Sequence, residues 1–146
     1  MDRTFTEEDL QYNRSLKKAI FEVLLEKTET FYLHCMMHSR LSTGDRKFTE
    51  KEIKEGIIFV LGPYSYRKLS WDEKGISCEM NFGKWETVYI PYECIFRIFD
   101  KGGHFLMQFV TMDIDDDVFN DEEKESTNVI PLDFSKNKKK EKKEES

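Results

Sequence analysis

The run Ile76-Ser77-Cys78-Glu79-Met80-Asn81-Phe82 alternates apolar and polar side chains without an error. Successive side chains of a strand point to opposite faces, so this run reads as a strand with Ile76, Cys78, Met80 and Phe82 on one buried face. A helix would scatter the same four residues around its circumference. Turn signals bracket the run: Asp72-Glu73-Lys74-Gly75 before it, with Gly75 placed for a positive φ, and Gly83-Lys84 after it. A lone strand buries little, so the turns must return the chain to paired neighbours. Tyr66 to Trp71 and Glu86 to Ile90 are the segments that fit.

More strands surround this unit. Phe31 to His38 is mostly apolar, and Ile57 to Leu61 has no polar alternation, which predicts a strand covered on both faces. Gly62-Pro63 breaks that strand. Pro91 opens a short connection, and two further strands are expected at Ile95–Phe99 and His104–Val110. Two capping boxes start helices: Thr6 with Asp9, and Thr49 with Glu52, the second helix ending at Gly56. In the first helix, which runs to about Thr28, Leu16, Ile20, Val23 and Leu24 form an apolar stripe with Lys18, Glu22 and Glu26 opposite. That stripe can pack on its own sheet, on a partner subunit, or on both. The predicted fold is mainly β (α+β): an N-terminal amphipathic helix on a strongly bent antiparallel sheet or small barrel.

Charge is uneven along the chain. Residues 111–146 carry twelve acidic side chains and seven lysines, whereas residues 1–110 carry seventeen acidic and sixteen basic ones. The body is close to neutral, and no basic face is available to displace counterions from phosphates, so nucleic acid is not an expected partner. Three divisions follow: a folded domain over 1–110, an acidic flexible linker over 111–128, and a tail over 129–146. Within the tail Val129-Ile130-Pro131-Leu132-Asp133-Phe134 is an apolar island without a nearby core, ahead of a Lys/Glu-rich end. The opening residues lack an apolar leader, and the longest apolar run, Ile57 to Leu61, is far below the roughly 20 residues that span a bilayer. Cys35, Cys78 and Cys94, odd in number and set in apolar segments, read as reduced, buried thiols of a cytoplasmic protein.

Signals for catalysis or metal binding fail one by one. His34, Cys35 and His38 on a strand would place the two histidines on one face and the thiol on the other, which suits a surface role better than a metal. Asp113, Asp115 and Asp117 match the first ligands of a calcium loop, but Val118 stands where that loop needs Gly and Lys124 where it needs Glu. No phosphate loop, nucleophile elbow or zinc-protease motif is present. The chain reads as a binding protein, not an enzyme, with no cofactor. An RNA-binding module using Tyr64, Tyr66, Trp71 and Trp85 is the alternative, with the charge against it.

The segments IIFVLGPYSY and ISCEMNFGKWETVYIPYECIFRIFDKGGHFLMQF, with KKAIFEVLLEKTETFYLHC before them, resemble the stringent starvation protein B (SspB) adaptors of the ClpXP protease over about residues 10–110. The tail island is similar to the docking motif of the family's alphaproteobacterial branch, one residue shorter between Asp and Phe. The resemblance implies an Sm-like fold and a homodimer built partly on the first helix, with Leu16, Ile20, Val23 and Leu24 at its interface. It further implies a groove for ssrA-tagged proteins, onto which Val60, Leu61, Gly62, Pro63, Tyr64, Met80 and Phe82 fall. Finally it implies a tail, Val129 to Phe134, that docks on the N-terminal zinc-binding domain of the ClpX unfoldase. Two departures stand out: the branch tends to carry Gln where this chain has Leu61-Gly62-Pro63-Tyr64, and twelve residues follow the tail motif.

Overall fold

A computed structural model of the chain describes residues 4–115, 118 and 119. The chain divides into two compact units, Met1–Asp113 and Ile114–Ser146, and the first holds every element described below. The tail island lies outside the described residues.

Helix α1 (Glu7–Lys27) starts with the expected box: Asp9 N–H donates to Thr6 Oγ1 and Thr6 N–H to the Asp9 carboxylate, satisfying two end donors reciprocally. β1 (Phe31–Cys35) follows, then α2 (Glu50–Glu55), which has the second box at Thr49. Gly56 ends α2 at φ +90°, where a Cβ would stand 2.6 Å from Cys35 O. Then come β2 (Ile57–Leu61), β3 (Tyr66–Trp71), β4 (Gly75–Asn81) and β5 (Trp85–Pro91). A 3-10 turn, Tyr92–Cys94, leads to β6 (Ile95–Asp100) and β7 (Leu106–Gln108).

The expected mainly β fold with one long N-terminal helix is what forms, and the bent sheet takes the form of two antiparallel sheets. One has the order β2-β1-β6-β7, the other β3-β4-β5. Their inner faces share one core with α1, in which Phe21, Phe31, Leu33, Phe59, Ile76, Ile90 and Ile98 are buried. Burial of each such side chain contributes about 1.5–3 kcal/mol, which offsets the entropy of ordering a domain of this size.

Several expectations are corrected. β2 is covered on one face only: Ile58 is 51% exposed and Val60 39%, because β2 is an edge strand of a sheet whose outer face carries no layer. β1 stops at Cys35, short of His38, and β7 is confined to three residues. Gly75 does not adopt positive φ; glycine is needed there because a Cβ would meet Ile90 O at 2.6 Å. Phe82 falls one residue past β4 and is exposed, leaving the other three residues of its row buried. Met112, read as part of the polar stretch, is buried and donates its N–H to Glu93 O. The three cysteines are buried and form no disulfide, and burial pushes the Cys78 thiol up to about 11.

Candidate functional site

The outer edge of β2 is unpaired among the described residues. Ser65 Oγ lies 2.7 Å from Val60 O and donates to it, so that carbonyl points away from β1. Main-chain groups alternate in direction along an antiparallel strand. Within the register Tyr32↔Val60 and His34↔Ile58, both Ile58 and Val60 therefore turn N–H and C=O to the open side. An edge of this kind is a template for another strand. Its far end is held by Ser65, whose hydroxyl also receives Gly62 N–H at 2.7 Å.

Side chains on the open face of the same sheet line up across the strands. The register puts Val60, Tyr32, Phe99 and Leu106 in one row, and the Tyr32 and Phe99 rings stack with centroids 5.0 Å apart. The next row holds Ile58, His34, Arg97 and Gln108, in which Arg97 Nε donates to Gln108 Oε1. A cleft of about 640 Å³ opens at the Gly56 end of β2, walled by Met36, Ile58, Phe96, Arg97 and Glu55. His34 Nε2 meets Glu55 O there at 2.7 Å, donating to it, which ties the end of α2 to the sheet. Contiguous exposed apolar surface of this kind marks interaction sites.

The residues read from the sequence as groove positions separate into two sets. Val60, Pro63, Tyr64 and Phe82 are exposed, whereas Leu61, Gly62 and Met80 are buried. Met80, only 4% exposed, pairs with Tyr66 and Glu86 across its two neighbouring strands and belongs to the core. Phe82 lies under the Arg46 guanidinium, 4.8 Å from its ring centroid. Sequence reasoning missed the part of the face carried by Tyr32, Phe96, Phe99 and Leu106. Their alternation with buried residues was legible, but that the alternate face lay bare was not.

The face that helix α1 turns inward includes only part of its apolar stripe. Leu10, Arg14, Lys17, Phe21 and Leu24 are buried. Tyr12, Leu16 and Val23 are exposed, with Val23 at 54%, and Ile20 is partly buried against the core. Of the four expected interface residues, Leu24 therefore faces its own core while Leu16, Ile20 and Val23 border the outside.

The inward charges meet Glu93. Its carboxylate accepts from Arg14 Nε at 2.9 Å and Arg14 Nη2 at 3.1 Å, a two-point geometry that suits the guanidinium fork. Arg40 Nη2 adds a third bond at 3.1 Å. His38 Nδ1 accepts the Arg40 N–H, which leaves Nε2 carrying the proton it donates to Glu93 at 2.9 Å. Burial pushes the Glu93 carboxyl up, but the bonds from His38 and Arg14 outweigh it and hold the group at about 2. Lys17 is brought down by burial to about 8, against the pull of nearby Cys94, Cys35 and Glu93, and donates to Val110 O at 2.8 Å. His38, expected on a surface, is thus part of a buried clamp joining α1, the 3-10 turn and the loop after β1. Both carboxylate oxygens of Glu93 are taken up by these donors, which suits a structural role.

Among the described residues no three His, Cys, Asp or Glu side chains converge as a metal site, and no helix is long and apolar enough to cross a membrane. The aromatic residues considered for base stacking are dispersed: Trp71 donates to Glu22 and packs on Phe21, while Trp85 lies under Arg67. Residues 12–146 match the family model described as stringent starvation protein B. No curated protein matches the chain.

Proposed function

Because the chain belongs to the stringent starvation protein B family, whose members are adaptors to a protease, we propose that it delivers ssrA-tagged proteins to the ClpX unfoldase. The observation that carries this reading is the open edge of β2 beside exposed apolar side chains, in a chain of that family. A tag in extended conformation adds to such an edge through main-chain bonds, and side chains on either side select its sequence. Ile58 and Val60 offer the main-chain groups. Tyr64 follows the far end, and the cleft at Gly56 receives side chains at the near end. Leu61 and Met80 support the site from the core without touching cargo.

In this reading residues 1–113 hold cargo, 114–128 form a tether, and Val129, Ile130, Pro131, Leu132, Asp133 and Phe134 dock on the N-terminal zinc-binding domain of ClpX. A tether of fifteen residues spans roughly 20 Å as a random coil and raises the local concentration of cargo at the unfoldase. Two copies joined through Leu16, Ile20 and Val23 of α1 would present two tails. The protein would act in the cytoplasm, without a cofactor.

The test uses a fluorescent ssrA peptide and a tagged substrate. Ile58→Pro removes an N–H that the β1–β2 ladder does not use, so the fold is retained while strand addition is blocked. Tag affinity should fall at least about tenfold, or about 1.4 kcal/mol. Truncation after Asn128 should leave tag binding intact and abolish stimulated degradation by the unfoldase and protease. Unchanged affinity in Ile58→Pro would move cargo off the β2 edge, and undiminished delivery by the truncated chain would remove the docking role of the tail.

A further inference from the structure

Gly62-Pro63-Tyr64-Ser65 turns the chain back at the end of β2. Pro63 stands second in the turn, where its fixed φ suits, and Ser65 N–H closes the turn on Gly62 O at 3.3 Å. The turn brings the Ser65 hydroxyl back to the strand that the chain has just left. That hydroxyl donates to Val60 O and receives Gly62 N–H, each at 2.7 Å.

This pair of bonds has the form of a strand contact. In a parallel ladder, one residue of the neighbouring strand donates its N–H to the carbonyl of residue i−1 and takes the N–H of residue i+1 on its own carbonyl. With Leu61 as residue i, those two groups are Val60 O and Gly62 N–H. A serine hydroxyl is donor and acceptor at once, so Ser65 stands in for one residue of an added strand. Val60 O keeps a second lone pair, but Gly62 N–H has a single proton and it is committed. Among the described residues, the main-chain groups left open along β2 are Ile58 N–H, Ile58 C=O and Val60 N–H.

We propose that Ser65 is a register stop for the cargo peptide, an inference that rests on the strand-addition reading above. An extended chain on a bare edge can slide by two residues and keep its side-chain faces, because those faces repeat with period two. Here the ladder ends at Val60. A tag that slid onward would set its next carbonyl against a Gly62 N–H already spent, whether it runs parallel or antiparallel to β2. The cargo therefore pairs with Ile58 and with Val60 N–H, and leaves the edge before Gly62. With that end fixed, the same tag side chain falls each time at the cleft walled by Met36, Ile58 and Arg97. Ser65 acts through the main chain of β2 and is a positioning residue.

Hydrogen exchange of main-chain N–H groups, followed by NMR on the full-length chain with and without saturating ssrA peptide, reads the ladder residue by residue. In the wild type the peptide should slow Ile58 and Val60 at least about tenfold and leave Gly62, already held by Ser65, unchanged. Ser65→Ala should make Gly62 exchange faster in the free chain, and the peptide should then slow Gly62 as well, because the ladder runs on. Ser65→Thr keeps a hydroxyl at the turn and should restore the wild-type pattern. Slowing at Ile58 and Val60 with none at Gly62 in Ser65→Ala would overturn the stop and leave the cargo edge standing. Peptide-induced slowing of Gly62 in the wild type would overturn it without any variant. No slowing at Ile58 or Val60 would instead take the cargo off this edge, and the stop with it.

Discussion

Glu93→Gln keeps the shape of a fully enclosed acidic side chain and removes its charge. Glu93 has no exposed side-chain surface and Arg14 is 1% exposed, so the substitution sets the buried Arg14 guanidinium against a neutral amide. Breaking a buried pair from one side costs about 3–5 kcal/mol, a large part of the roughly 5–15 kcal/mol that holds a domain together. The pH dependence supplies an independent measure. The carboxyl is at about 2 in the folded chain against 4.5 in the free side chain. A depressed carboxyl stabilises the fold in full above pH 4.5, and that contribution is lost as pH falls through 2. At about 1.4 kcal/mol per pH unit the interval corresponds to about 3 kcal/mol, in line with the mutational figure. Urea unfolding followed by tryptophan fluorescence, at neutral pH and in steps down to pH 3, measures both. Wild type should lose stability steeply below pH 4.5. Glu93→Gln should start several kcal/mol lower and lack that component of the slope. A variant within about 1 kcal/mol of wild type, with the same acid limb, would refute the assignment of Glu93 as the keystone of the clamp. Replacing Glu93 and Arg14 together by apolar residues of similar volume should recover part of the loss, since the buried Arg14 charge goes with its partner while His38 and Arg40 still lose a bond each.

Two further outcomes follow from positions already described. Val23→Glu puts a charge on the exposed face of α1 and should convert a dimer to a monomer in sedimentation without lowering the melting midpoint; a wild type that sediments as a monomer at micromolar concentration would refute the α1 interface. Gly56→Ala forces a Cβ to within 2.6 Å of Cys35 O at φ +90°, and should cost at least about 1–3 kcal/mol in denaturant unfolding, whereas a neutral result would show that the α2–β2 junction can rearrange.

Local rules were enough to write much of the fold down from the residues. Both capping boxes form, because a Thr hydroxyl and an acid three residues later satisfy each other's main chain whatever surrounds them. Ile76, Cys78 and Met80 share a buried face because alternation is a property of the strand itself. Gly56 ends α2 because no side chain fits there. The tail island was legible for the opposite reason: four apolar side chains in a run of charges stand out without any structure.

What the residues could not disclose was which surfaces would meet. Hydropathy gave α1 one apolar stripe, for its own sheet, a partner subunit or both, and put the charges opposite, yet Arg14 and Lys17 are buried against the domain. The acid that makes their burial tolerable lies 79 residues from Arg14, and no periodicity within one helix reports a partner that distant. The same limit governs the candidate site. An unbroken apolar strand such as Ile57 to Leu61 looks doubly covered in isolation. Sheet order alone decides that β2 is an edge, that Val60 lies bare while Met80 is enclosed, and that the open main chain at Ile58 is available to a partner. Side-chain alternation is set by each residue's own backbone, whereas burial depends on what the rest of the chain lays against it.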